Sequence, residues 1–225
     1  CSLQRRNQKL VEFAPSPFIS DATRSALVGA AVRMSQALDY CGLGTFEFLV
    51  AGDEFHFIEA NPRLQVEHTV TEEIYGVDLV AAQICVCQGT RLHELDLATA
   101  PTPAGLAVQL RVNLETLGPD GSVRPSSGSL VAFDVPSGPG VRVDTCGYTG
   151  LNPSRAYDSL IAKVIVHARH GSFQDLMDRA GRALAEFRID GVASNIPLLR
   201  ALLNDERVRA GHIDTSFLDA ELPAL

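Results

Sequence analysis

No stretch restricts the fold of this chain more than residues 106–115, LAVQLRVNLE. Leu106, Val108, Leu110, Val112 and Leu114 alternate with Gln109, Arg111, Asn113 and Glu115. A period of two puts the apolar set on one face of a strand and the polar set on the other, so the chain must build a sheet over a core. Further strands are expected at 129–134, 140–144 and 159–167. Helices are expected at about 172–187 and 195–204, the second capped by Asn195 with Pro197 in its first turn. Upstream, Pro15 and Pro17 keep residues 10–19 extended. Ser20 or Asp21 can then cap a helix to about Tyr40, with an apolar stripe of Leu27, Val28, Ala31, Met34, Ala37 and Leu38. TFEFLV and EFHFIE flank AGD at 51–53 as a hairpin, and helical sequence runs from about Val70 to Cys87 with a break near Gly76. DLATAPTPAG at 96–105 reads as a linker. The fold class is α+β, with one domain over 1–98 and a second over 99–225.

With 46% hydrophobic and 20% charged residues, the chain has the composition of a soluble globular protein. A net charge of −8 argues against a nucleic-acid surface but leaves room for nucleotides held by local cations or a metal. The longest apolar run, GVDLVAAQICVC, is too short to span a bilayer, and a cytoplasmic location is the expectation. The five cysteines lack metal-type spacing and are expected to be reduced, buried thiols.

The chemistry concentrates between 47 and 68. A three-residue turn (Gly52, Asp53, Glu54) would pair residues summing to 106 and set Glu47 opposite Glu59. Two carboxylates so placed repel unless a cation lies between them. A hard divalent ion, Mg²⁺ or Mn²⁺, fits, with Asn61 adding an amide oxygen. An even loop would instead put the acids on opposite faces, where they would merely be solvated. In the following NPRLQVEH, Pro62 biases Asn61 away from the helical region. An extended course would then send Arg63, Gln65 and Glu67 to one side and Leu64 and Val66 to the other. Arg63 could hold a small oxyanion and Glu67 take a proton from it; a plain Arg63–Glu67 surface ion pair is the alternative. His68 reads as a structural hydrogen-bonder. Arg111, between Gln109 and Asn113, is a candidate positioned cation or a structural ion pair.

Together CSLQRRNQKLVEFAPSP, GTFEFLV, FHFIEANPRLQVEHTVTEEIYGVDLV, LRVNLE, AYDSLIAKVIV and IDGVASN resemble the biotin carboxylase family of ATP-grasp enzymes, from residue 1 to the end of the chain. The resemblance implies the C-terminal half of an ATP-grasp core, an antiparallel sheet with helices, followed by the biotin carboxylase C-terminal domain. It implies a part of an enzyme that activates bicarbonate as carboxyphosphate and carboxylates N1′ of carrier-bound biotin. Glu47, Glu59 and Asn61 match positions that ligate or support two Mg²⁺ or Mn²⁺ ions on ATP. Lys9, Arg63, Gln65 and Val66 match the bicarbonate site, with Glu67 as the base. Arg111 matches the arginine that stabilises the biotin enolate. Gln4 and Asn7 match residues near the ribose and phosphates, and Leu49 one that lines the adenine pocket. The family commonly has His where this chain has Asn7, and Asn can donate and accept hydrogen bonds but cannot carry a proton.

The same resemblance implies further partners: a preceding half with a mobile lid, a biotin carboxyl carrier domain, a carboxyltransferase, and a homo-oligomeric full enzyme. Cys1 falls inside a family strand motif, so the expectation is a piece of a longer enzyme, inactive alone. Two other functions compete: an ATP-grasp ligase for a different carboxylate, and a non-catalytic module that docks carrier domains or subunits. Arg111 and the Arg63, Gln65, Glu67 set argue against the first; a turnover assay discriminates the second.

Overall fold

In the computed structural model, residues 1–118, 122–154 and 156–221 are described. They form two compact units, Cys1–Pro15 with Gly105–Leu225, and Ser16–Ala104.

The first unit is built on a five-stranded antiparallel sheet of order β1-β2-β5-β10-β9: β1 (Leu3–Arg5), β2 (Gln8–Ala14), β5 (Leu106–Asn113), β10 (Leu160–Ala168) and β9 (Val141–Thr145). The alternating stretch is the central strand β5. One of its faces meets the core, where Val108, Leu110 and Val112 pack with Val11, Ala162, Val164 and Val166. Helix α4 (Phe173–Glu186) covers that core with Leu176, Met177, Ala180, Ala183 and Leu184, and α5 (Ile196–Asn204) adds Leu198, Leu199, Leu202 and Leu203. Short helices α6 (Glu206–Ala210) and α7 (Phe217–Glu221) and the small pairs β6 (Glu115–Leu117) with β7 (Val123–Pro125) and β8 (Ala132–Asp134) with β11 (Arg188–Asp190) complete it. The strand expected over 129–134 thus shrinks to three residues. Residues 1–15 lie with this unit rather than with the residues that follow them, because β2 pairs with β5 across some hundred residues of chain. The compact units therefore do not follow the division at residues 98 and 99.

Asn195 does not cap α5 with its side chain. Its Oδ1 accepts from the Asn113 N–H and its Nδ2 donates to the Arg111 carbonyl, so it pins β5 instead. A buried main-chain group left unpaired would cost more than a vacant cap on a helix end.

The second unit holds α1 (Asp21–Ala37), the hairpin β3 (Thr45–Ala51) and β4 (Glu54–Asn61), and helices α2 (His68–Tyr75) and α3 (Leu79–Cys87). Ser20 caps α1, accepting from the Thr23 N–H. Its expected apolar stripe is not buried: Thr23 is the buried residue of the helix, and Val28 is 58% exposed. Helix α2 stops at Gly76, whose φ of 65° is the left-handed conformation that favours glycine. Asp78 and Glu72 satisfy the first N–H groups of α3, those of Ala81 and Leu79. The thiols are not buried as expected: Cys1, Cys41, Cys87 and Cys146 are exposed and Cys85 is half-buried. No helix of the described residues is long and apolar enough to cross a membrane.

Candidate active site

The β3–β4 turn is shorter than the spacing suggested. Ala51 pairs with Glu54, leaving Gly52 and Asp53 as a two-residue loop, with Gly52 at φ 62°. From Phe48–Phe57 to Ala51–Glu54 the pairs sum to 105, a register that would set Glu47 and Glu59 on opposite faces. A β-bulge between Glu47 and Phe48 shifts the register by one, and Glu47 pairs with Glu59. The extra residue is Ile58, half exposed on β4. The expected pairing is present, produced by a bulge that re-aims side chains rather than by an odd turn.

Asn61, at the end of β4, joins the two acids. Its Nδ2 donates to Glu59 Oε1 at 2.8 Å and Glu47 Oε1 at 3.3 Å. Gln65 Nε2 donates to the same Glu47 oxygen at 2.9 Å. Arg63 donates through Nη2 to Asn61 Oδ1 at 3.4 Å and through Nη1 to the Leu64 carbonyl at 3.2 Å. One string of hydrogen bonds therefore runs from Arg63 through Asn61 to both acids and on to Gln65. Spacing alone had placed these residues in two separate groups.

The segment after Pro62 is not an extended strand. It turns at Val66 and Glu67 to start α2, with Glu67 at the N-cap position but no side-chain capping bond. Gln65 is buried at 9% exposure and Val66 is 36% exposed. The turn breaks the period of two, so Arg63, Gln65 and Glu67 do not share a strand face. The guanidinium of Arg63 goes to Asn61 and Leu64, not into an ion pair with Glu67. His68 is structural as expected: Nδ1 lies 2.7 Å from the Gln65 carbonyl and Nε2 3.8 Å from buried Glu72. Leu49 lies on β3, half exposed.

Two carboxylates suit a hard cation. The described residues contain no cluster of three His, Cys, Asp or Glu able to hold one. Mg²⁺ is commonly bound by one or two carboxylates together with water and substrate phosphates, so this donor set fits. Ligation by Asn61 Oδ1 would need its amide reversed, since its nitrogen now faces the acids. Gln65 Oε1 is buried and accepts no hydrogen bond. It fits a ligand with an O–H to donate, and bicarbonate has one.

The remaining candidates belong to the first unit. Gln4 pairs with Lys9 across the β1–β2 hairpin. Arg6 and Asn7 form its two-residue turn with φ of 46° and 66°. Arg111 Nε donates to Glu12 Oε1 at 2.6 Å, and Gln109 Nε2 donates to the other oxygen of Glu12 at 3.1 Å. Glu12, Gln109 and Asn113 are buried, so the polar face of β5 is enclosed as well as the apolar one. Two ion pairs were not legible in the sequence. Arg5 grips Glu115 with two hydrogen bonds of 2.8 and 3.1 Å, and Asp144 joins Arg142 at 2.8 Å to Lys163 at 3.2 Å. Their partners lie on strands distant in the chain or on a strand without alternating polarity.

Two family descriptions match. Residues 1–95 match the ATP binding domain of the carbamoyl-phosphate synthase L chain, and residues 109–220 the biotin carboxylase C-terminal domain. The biotin-dependent acyl-coenzyme A carboxylase alpha3 subunit of Mycobacterium leprae is 45% identical, over 91% of this chain and 33% of its own length. The biotin carboxylase of Halalkalibacterium halodurans is 39% identical, over 99% of this chain and 48% of its own. The solved biotin carboxylase domain of a single-chain bacterial carboxylase superposes with a TM-score of 0.93 at 50% identity, covering all of this chain and 51% of that one. The chain spans at most about half the length of these relatives.

Proposed function

The chain belongs to the biotin carboxylase family, and we propose that it is the part of an ATP-dependent carboxylase that activates bicarbonate and delivers its carboxyl group to carrier-bound biotin. The observation that carries this reading is the hydrogen-bonded string of Arg63, Asn61, Glu47, Glu59 and Gln65. It sets a cation-binding pair of acids beside the Arg63 guanidinium, which suits a small oxyanion.

In this reading Glu47 and Glu59 hold a divalent ion, Mg²⁺ or Mn²⁺, which when bound neutralises the phosphates of ATP. Asn61 keeps the two acids in register. Arg63 orients bicarbonate by its planar fork, and Gln65 Oε1 takes the hydrogen bond from its O–H. Glu67, in the turn beside them, removes that proton so that the oxygen becomes a nucleophile. Lys9 adds positive charge toward bicarbonate and the transferred phosphate. Gln4 and Asn7 attend the ribose and phosphates, and Leu49 the adenine. Arg111, held by Glu12, meets the negative charge that develops on the ureido oxygen of biotin. The carrier domain, the carboxyltransferase, the lid and oligomer contacts belong to the rest of such an enzyme.

The test is made in a full-length carboxylase carrying these residues. Arg63→Ala and Glu67→Gln should each lower bicarbonate-dependent ADP release by about 10²-fold or more. Arg111→Ala should depress biotin carboxylation far more than biotin-free ATP cleavage. Near-normal ADP release in both of the first two variants would remove the bicarbonate site from this segment.

A further inference from the structure

The face of the five-stranded sheet that bears Arg111 carries a second cation beside it. In the β5–β10 register Lys163 is the direct partner of Arg111, and in the β10–β9 register Asp144 is the direct partner of Lys163. Cross-strand partners share a face with Cβ atoms about 5 Å apart, and like charges so placed repel. Both side chains are largely enclosed, Arg111 at 11% and Lys163 at 13% exposure, so water screens the repulsion poorly. Each cation is anchored on its outer side: Glu12 holds Arg111, and Asp144 lies 3.2 Å from Lys163 Nζ. The two cationic residues are thus direct neighbours on one face of the sheet, each fixed by its own carboxylate.

Neutralising Asp144 does not explain this arrangement. Arg142 already grips that carboxylate with two hydrogen bonds, from Nε at 2.8 Å and Nη2 at 3.0 Å. Burial pushes the Asp144 carboxyl up, but the hydrogen bonds from Arg142 and Lys163 outweigh it and hold the group below its ordinary value. Asp144 therefore stays anionic and keeps Lys163 aligned along the strand. A pair of cations fixed on one face of a sheet is preorganised for an oxyanion.

We propose that Lys163 is the second cation of the Arg111 site, acting with it on the oxygen that becomes negative during carboxyl transfer. The inference rests on the reading of Arg111 above. It assigns Lys163 to the carboxyl-transfer half of the reaction and not to ATP cleavage, with Asp144 and Arg142 as its positioning residues.

The test compares Lys163→Met, Lys163→Gln and Lys163→Arg in a full-length carboxylase carrying these residues, with Arg111→Ala as the reference. The measured quantity is the ratio of biotin carboxylation to biotin-free, bicarbonate-dependent ATP cleavage. Lys163→Met and Lys163→Gln should each lower that ratio about 10-fold, and Lys163→Arg should recover most of it. Gln retains a hydrogen-bond donor for Asp144 without the charge, so it guards against a folding defect in the Met variant. An unchanged ratio in both neutral variants, together with a lowered ratio in Arg111→Ala, overturns this inference alone. An unchanged ratio in Arg111→Ala overturns the reading on which it rests. Recovery of the ratio when Asp144→Asn is added to Lys163→Met also overturns it, because Lys163 would then only be serving Asp144.

Discussion

Arg5 and Asn7 show how much a single residue can be asked to do here. Asn7 stands where the family commonly has His, and it occupies the second turn position of the β1–β2 hairpin at φ 66°. Asn tolerates the left-handed region and suits two-residue turns whose central residues both have positive φ. The residue thus serves the backbone, while its amide can donate or accept but cannot carry a proton. Arg5, two residues earlier, pairs with Glu115 at 2.8 Å, with side chains 6% and 3% exposed. Removing one partner of a buried pair leaves the other charge unmatched. Arg5→Met should therefore cost about 3–5 kcal/mol in urea unfolding, and Arg5→Met/Glu115→Leu should recover most of it. A single-variant loss no larger than that of a surface pair would show that solvent reaches Glu115.

Among elements, the β3–β4 hairpin and α6 show local chemistry deciding geometry. In the hairpin, the bulge at Ile58 sets which acids face each other. In α6, Asp205 caps the helix, accepting from the Arg207 and Val208 N–H groups and from the Arg207 side chain. The hydrogen bonds from the Arg207 side chain hold its carboxyl below the usual 3.8, against the upward push of burial and with help from the two backbone N–H groups. A lowered folded value means that the stabilisation is fully present above the ordinary carboxylate range and is lost as pH falls through the folded value. Asp205→Ala should cost about 1 kcal/mol at neutral pH. The gap between variant and parent should narrow as pH drops below 3.8, measured by chemical unfolding at each pH. A gap independent of pH would mean that the cap works without its charge.

On the scale of the whole molecule, the two units differ in how much core they own. Among the described residues, the buried apolar ones lie in the first unit, except for Val70 and Ile74. The second unit exposes Val28, Val32, Leu49, Phe57, Ile58 and Ile84, and α3 has no buried residue. A two-stranded hairpin without a covering layer is marginal by itself. Amide hydrogen exchange of the 225-residue chain should therefore be slowest in β5 and β10 and faster throughout β3, β4 and α3. The same chain, supplied with ATP, Mg²⁺, bicarbonate and free biotin, should show no bicarbonate-dependent ADP release. It has the acids and Arg63, but its described residues hold no Gly-rich phosphate loop, and each missing preorganised donor typically costs about 10²–10³-fold. Appreciable release by the chain alone would show that these residues suffice.

Local period and capping chemistry were enough to place β5, β10, α4 and the break at Gly76, and to narrow the cap of α1 to Ser20 or Asp21, since each depends on neighbours within a few residues. The residues of the proposed site are taken from the family motifs. Tertiary structure decided the matters that depend on distant partners or on counting backbone hydrogen bonds. Alternation reveals that β5 has a polar face, but only β2, brought in from residues 8–14, determines that Glu12 encloses it with Gln109 and Arg111. Nothing in TFEFLVAGDEFHFIEAN distinguishes a three-residue turn from a two-residue turn with a bulge, because both pair Glu47 with Glu59. The apolar residues of α1 and α3 have the character of a core, yet exposure depends on what packs against a helix, not on its own period. Lys163 reads as a polar residue in an apolar strand; only the pairing of β10 with β5 makes it the cross-strand partner of Arg111.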